Sequence, residues 1–364
     1  MQRARWRLEP LPAACHAPPV TGDTDGARAP LRPASRVTLD DVARHAGVSA
    51  ATASRALGDG PHVAAATRER VRAAAEELDY VASPEAARLA GGPTGRVAVL
   101  VPHPSRWFFG ELLEGLEGEL RAADLDLVLF RVGGPEERAA FFARLPARRK
   151  VDAVVVLTPV DETEHARLAS LDVAVVAAGG RVAPYPSIAV DEHAAGRQAM
   201  DHLLHLGHRR IGMIDVEDAG RSDGRRAAWE AALRDAGVEP DGDLVVTVPA
   251  DGEGGADGMA RLLGLRSPPT AVFAHSDEIA LGAVRTLRRA GLRVPEDLSV
   301  IGIDDHPLAA LTDLTTVAQP VREQGRRAGE LVQAALRGEL DQQAVTLPTR
   351  LVLRSTTSPP AAPR

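Results

Sequence analysis

At 364 residues the chain has room for two or three domains and a sizeable buried core, and its 45% hydrophobic and 26% charged content is that of a soluble globular protein. No apolar run approaches the roughly 20 residues needed to span a bilayer, and the single Cys15 excludes an internal disulfide framework or a cysteine-based zinc site, so composition points to the cytoplasm. The net charge of −7 gives no broad attraction to nucleic acid, so any DNA contact must come from a local patch and from helix N-termini.

Residues 1–35 hold Pro10, Pro12, Pro18, Pro19, Pro30 and Pro33 without periodicity and read as a disordered leader. Arg3, Arg5 and Arg7 lack a following apolar segment, which argues against a signal peptide. The leader either touches DNA phosphates through these arginines or reflects a start codon set too early. Residues 36–82 follow as a small helical headpiece. Thr38 caps a first helix with Asp41 three residues on, and Leu39, Val42, Ala43 and Ala46 form its apolar face. Gly47 ends that helix in the left-handed region and Ser49 caps the next. Two helices joined by about four residues make either a helix-turn-helix or an ordinary helical hairpin. Residues 36–75 carry six arginines against four acids, an excess of only two. After the turn cluster at 58–61, Val71, Ala74, Ala75 and Leu78 place a third helix within Thr67–Tyr80. Ser83 and Pro84 then read as N-cap and first residue of a short helix over 84–90, and residues 91–95 as a linker, so 83–95 forms a hinge segment.

From Arg96 the texture changes. Buried-strand candidates at 97–101, 125–130, 153–157, 173–177, 211–214, 244–248, 271–274 and 299–303 alternate with helical stretches, the first of them over Gly110–Ala123. That alternation predicts an α/β core of two doubly wound parallel-sheet lobes, with ligands bound beyond the strand carboxyl ends in the cleft between them.

The series Thr38-Leu39-x-Asp41-Val42-Ala43-x-x-Ala46-Gly47-Val48-Ser49-x-x-Thr52-x-Ser54-Arg55 resembles the N-terminal signature of the LacI–GalR family of bacterial transcriptional regulators. The likeness continues through 67–80, Leu206–Ile211, Ser276–Gly282, Val300–Asp305 and Leu314–Pro320, in order, over about residues 36–356. It implies a helix-turn-helix headpiece, a hinge helix and a core resembling periplasmic sugar-binding proteins. The implied core spans 96–356, with an N-lobe at about 96–190 plus 319–343 and a C-lobe at about 191–318 plus 344–356. Residues 357–364 are expected as a disordered tail.

By this resemblance the second helix enters the major groove. Ala50 and Ala51 then face base edges and offer only methyl contact, for example to thymine. Thr38, Ser49, Thr52 and Ser54 are positioning contacts, and Arg55 is either a guanine reader or a phosphate contact. Leu89 occupies the position that wedges into the minor groove, or else packs on its dimer mate. Ala64 stands where a serine cap is usual, a loss of about 1 kcal/mol of helix stability. Pseudo-palindromic double-stranded DNA calls for at least a homodimer, paired through the core lobes.

The implied effector is a sugar or sugar derivative. Arg106, Phe108, Phe109, Asp191, Arg225, Trp229, Ser276, Asp277, Asp304 and Gln319 are its expected contacts, and no cofactor or metal is implied. Phe108, Phe109 and Trp229 fall near strand ends, where each is either a ring-stacking residue or core. Asp304, which ends a strand, is a ligand group, a cap or an interlobe ion-pair partner. Gly179-Gly180 replaces the acid-base pair that often follows the fourth strand in hexose and pentose binders, and Arg106 with Arg225 would favour an acidic ligand. His202, His205 and His208 lack a completing carboxylate pair, Gly252-Glu253-Gly254-Gly255 lacks the lysine of a phosphate loop, and no nucleophile elbow occurs. The expected function is therefore a ligand-released transcriptional regulator, usually a repressor, rather than an enzyme. The alternative is a solute-binding protein without DNA-binding function.

Overall fold

The computed structural model describes residues 37–58, 63–80, 93–144, 150–216, 223–339 and 344–361. The leader, the turn residues 59–62, the hinge segment through 92 with Leu89, and residues 362–364 lie outside the described residues. The chain divides into two compact units, Met1–Ala82 and Ser83–Arg364.

In the first unit, α1 (Leu39–His45), α2 (Ala50–Leu57) and α3 (Ala65–Glu77) close over one small core. Val42, Ala53 and Val71, one from each helix, are fully buried at its centre. Thr38 and Asp41 form a reciprocal capping box, Gly47 adopts φ +66°, and Ser49 caps α2. The N-terminus of α3 has no side-chain cap at Ala64, as its methyl dictates. Two contacts invisible in the local pattern tie the helices together. His45 meets Glu77 at 2.8 Å, and Arg70 Nε donates to the Ala46 carbonyl at 2.9 Å, satisfying the end of α1.

The second unit is two α/β lobes. The N-lobe contains β1 (Arg96–Val101), α4 (Trp107–Ala122), β2 (Asp126–Arg131), α5 (Pro135–Arg144), β3 (Ala153–Val156), α6 (Glu162–Ala169), β4 (Ala174–Ala178) and β5 (Ser187–Val190). The C-lobe contains α7 (Glu192–His205), β6 (Ile211–Val216), α8 (Asp223–Asp235), β7 (Val245–Val248), α9 (Gly252–Leu263), β8 (Ala271–Ala274), α10 (Asp277–Arg289), β9 (Ser299–Asp304), α11 (Pro307–Leu311) and β10 (Thr315–Ala318). The chain then returns to the N-lobe for α12 (Val321–Leu336) and β11 (Ala344–Leu347) and ends on the C-lobe with β12 (Arg350–Val352). The sheet orders are β11-β5-β4-β3-β1-β2 and β12-β10-β9-β8-β6-β7. All pairings are parallel except β10 with β12, which reaches the edge through a two-residue link and needs no helical crossover.

The central strands are buried end to end because helices cover both sheet faces. In the C-lobe, α9 and α10 touch backbone to backbone: a Cβ on Gly255 or Gly282 would run into a carbonyl of the other helix. The Gly-rich stretch at 252–255 therefore serves close helix packing.

Three boundaries differ from expectation. Helix α4 begins at Trp107 instead of Gly110, because burial of Phe109 in the core outweighs the weak helix propensity of an aromatic run. Residues 344–347 belong to the N-lobe, paired with β5, so the last crossover falls at Pro348-Thr349. A short, half-exposed strand takes its place from the sheet edge that receives it, which local sequence does not specify. Residues 357 and 358, expected in the tail, are fastened to the C-lobe: Ser358 N donates to Ser299 Oγ at 3.0 Å and its carbonyl accepts from His208 at 2.9 Å. No helix among the described residues is long and apolar enough to cross a membrane.

Candidate functional site

Two surfaces carry chemistry. On the headpiece, the buried face of α2 is Ala53 and Ala56, which turns Ala51 and Arg55 outward, with Ala50, Thr52 and Ser54 partly exposed beside them. Thr38 and Ser49 are exposed at the two helix N-termini, where free N–H groups and the helix dipole favour an anion such as phosphate. Ser49 Oγ accepts from Thr52 N at 3.2 Å and lies 2.9 Å from Thr52 Oγ1, so both hydroxyls serve the cap. Arg55 Nε donates to the Ala51 carbonyl at 3.1 Å, folding the side chain back along its own helix. Asp41 is held down at about 2 by hydrogen bonds from the Thr38 side chain and backbone and then from Arg44.

The second surface lies between the lobes of the core. An inner chamber of about 90 Å³ brings together Arg106, Phe108 and Phe109 from the start of α4 with Arg225, Ser276, Asp304 and Gln319. Its electrostatic centre is Arg225, only 5% exposed. Arg225 Nε donates to Glu192 Oε2 at 2.5 Å, and its Nη1 donates to the His275 carbonyl. Burial works against its charge, but Glu192, Asp304 and Asp215 outweigh that cost and raise its pKa. His275 Nδ1 lies 3.2 Å from Asp215 Oδ1, and burial followed by the Arg225 charge lowers its pKa, favouring the neutral ring.

Asp304 shows the opposite perturbation. Burial, assisted by Asp277 and Glu192, pushes its carboxyl up to about 8 against the pull of Arg225 and Gln319. Gln319 Nε2 donates to Asp304 Oδ1 at 2.6 Å and is itself held by Gln324. The backbone at Asp304 has φ +135°, a conformation costing a non-glycine residue on the order of 1–3 kcal/mol, of the kind that clusters at functional sites.

Three expected contacts stand elsewhere. Trp229 is 1% exposed in the C-lobe core, and its Nε1 donates to the Ile211 carbonyl at 3.1 Å, so it is a core residue and not part of the cleft. Trp229 shares the face of α8 that carries Arg225, but one turn further along it packs into the C-lobe core beside Ile211, a depth that local sequence does not reveal. Asp277 is fully buried behind the cleft, accepting from His306 N at 2.8 Å and Thr316 Oγ1 at 2.6 Å, and so braces the loop after β9. Asp191 is exposed and caps α7 through Ala194 N at 2.9 Å, on the rim of a second, outer chamber of about 530 Å³. Arg106 faces Glu278, whose carboxyl is raised by burial and drawn back by that arginine. Arg225, the other arginine expected to favour an acidic ligand, is paired to Glu192.

Sequence reading missed Glu192, His275 and Glu278. Each sits within a residue or two of a strand end or helix cap, the one signal that would have found them. In the 202–208 stretch His202 meets Thr357 Oγ1 at 2.9 Å, and His208, 1% exposed, meets Thr270 Oγ1 at 2.9 Å.

The family model for bacterial regulatory proteins of the lacI family matches residues 38–83, and that for a periplasmic binding protein-like domain matches 200–357. The chain is 34% identical to the HTH-type transcriptional repressor CytR of Escherichia coli (strain K12), over 83% of this chain and 90% of that protein. Among solved structures, the lac repressor dimer bound to operator and the anti-inducer ONPF aligns with a TM-score of 0.77 at 27% identity, covering 89% of this chain and 99% of that one. The transcriptional regulator CelR–cellobiose complex aligns with a TM-score of 0.66 at 31% identity, covering 88% and 100%.

Proposed function

Since the chain belongs to the lacI family of bacterial regulatory proteins and is a DNA-binding transcriptional regulator, we propose that it represses from a pseudo-palindromic operator and is released when a sugar-like molecule binds between the core lobes. The observation that carries this reading is the presence, in one chain, of a capped helix-turn-helix and a two-lobed core with a polar cleft. A solute-binding protein without DNA-binding function would have no use for the first. Structures similar to this chain bear an operator and ONPF in one case and cellobiose in another, which supports both ligand classes. Arg55 is the proposed base reader, Ala50 and Ala51 the proposed methyl contacts, and Thr38, Ser49, Thr52 and Ser54 the positioning groups. Leu89 as a minor-groove wedge belongs to the same proposal.

The protein works as a homodimer in the cytoplasm, on the nucleoid, and releases its effector unchanged. The C-lobe offers a pairing face: Leu311 is 79% exposed and Leu308 46%, beside a hollow that both Leu281 and Leu308 line. Release requires the effector to bind the state of low DNA affinity better than the repressing state. Genome-wide footprinting of the bound protein tests the reading. Paired half-sites about one helical turn apart are expected, and footprints without two-fold symmetry would refute it.

A further inference from the structure

The start of α4 reaches across the cleft. Trp107, from the N-lobe, lays its indole against the imidazole of His306 in the C-lobe, with ring centroids 4.8 Å apart and planes tilted by 53°. The indole Nε1 is buried and has no hydrogen-bond partner among the described residues, so the ring is held by packing and can leave without breaking a hydrogen bond. Trp107 lines a cavity of about 790 Å³ with Asp304 and Gln319, and Arg106 and Leu308 line another of about 630 Å³ with Glu278. A molecule entering either cavity meets this bridge between the lobes.

His306 is also the N-cap of α11, where its Nδ1 accepts from Leu308 N at 3.0 Å. The cap requires Nδ1 without a proton. Burial, against the pull of Glu111 one turn beyond Trp107, lowers the pKa of His306 and favours that neutral ring. The five residues of α11 are too few to hold a helix by themselves. Its order comes from its ends, His306 at the start and Thr312 Oγ1 donating to the Leu308 carbonyl at 2.7 Å at the finish, and from the buried Ala309. Leu308 and Leu311 stay exposed on this helix and are the apolar pair of the pairing face. One imidazole thus joins the N-lobe to the helix that meets the other copy.

We propose that Trp107 and His306 are positioning residues for dimerisation: the N-lobe holds α11 in its pairing geometry through the stacked rings, and lobe movement that parts them weakens the dimer. This rests on the reading of α11 as the pairing face. The clasp can bias the dimer by no more than the stack is worth, so parting the rings speeds dissociation roughly threefold to tenfold. Full-length copies labelled with donor or acceptor dyes are mixed, and subunit exchange is followed by energy transfer. Trp107→Ala is expected to speed exchange by that factor, as is His306→Asn, whose amide keeps a cap acceptor and loses the ring. Trp107→Phe, which keeps a ring to stack, is expected to stay near wild type. Trp107→Ala combined with His306→Asn is expected to exchange no faster than either alone, because both remove the same contact. Should Trp107→Ala fold poorly, His306→Asn, at a half-buried position, decides the matter by itself. Unchanged exchange in His306→Asn, or effects that add in the double variant, would overturn the clasp, while Leu311→Glu breaking the dimer would leave the pairing face standing. If Leu311→Glu leaves the dimer intact, the pairing-face reading falls and the clasp with it.

Discussion

Asp304→Asn should change how the stability of the core depends on pH. A carboxyl moved from 3.8 in the unfolded chain to about 8 in the fold holds its proton in the native state over the interval between those values. The native state therefore binds more protons than the unfolded chain, and stability falls as pH rises through that interval. The contribution is greatest below pH 4 and is lost by pH 8 and above. Each pH unit of displacement is worth about 1.4 kcal/mol, which sets an upper bound on the order of 5 kcal/mol, reduced by relaxation around the ionised group. Asparagine keeps the shape and an acceptor for Gln319 and has no proton to lose. The unfolding free energy of wild type minus that of Asp304→Asn, from urea titrations at pH 5, 6, 7 and 8.5, should thus become more negative by several kcal/mol across the series. Histidines with lowered pKa values, such as His208 and His275, are common to both proteins and cancel in the difference. A difference that stays flat from pH 5 to 8.5 would show that Asp304 is ionised throughout, and would refute burial as the dominant influence on it.

Arg55→Ala should cost roughly 1–3 kcal/mol of operator binding and relax discrimination at one base pair per half-site, read by anisotropy against a panel of single-base variants. Uniform weakening across the panel would instead make Arg55 a phosphate contact. Trp229→Phe leaves the buried Ile211 carbonyl without its donor and should destabilise the core by about 1–3 kcal/mol in urea melts, while effector affinity in calorimetry stays unchanged. Loss of effector affinity without loss of stability would return Trp229 to the cleft. Leu311→Glu, at an exposed position, should shift sedimentation from dimer toward monomer with the melting temperature nearly preserved. An intact dimer would remove α11 from the pairing face.

The headpiece was legible residue by residue because its signals are local. A cap is a side chain reaching a backbone three residues on, and a left-handed turn selects glycine, so Thr38, Asp41, Gly47 and Ser49 appear in place without knowledge of the rest. The two-lobed core was legible as a rhythm, since strands buried on both faces must read as continuous apolar runs. Seven of the ten expected effector contacts gather at the inner chamber, because strand carboxyl ends and the first turns after them are where such folds open.

Tertiary structure decided the rest, wherever a side chain's fate depends on what faces it from far along the chain. The sequence alone specified a capped helix-turn-helix followed by alternating strands and helices. It left open that Trp229 points inward to Ile211, that residues 344–347 join the N-lobe edge, and that Arg225 is already matched by Glu192. Local hydrogen bonds and periodic burial are set by neighbours within a turn or two. The charge state of a cleft and the choice of a sheet edge are set by groups brought together from residues tens to more than a hundred positions apart.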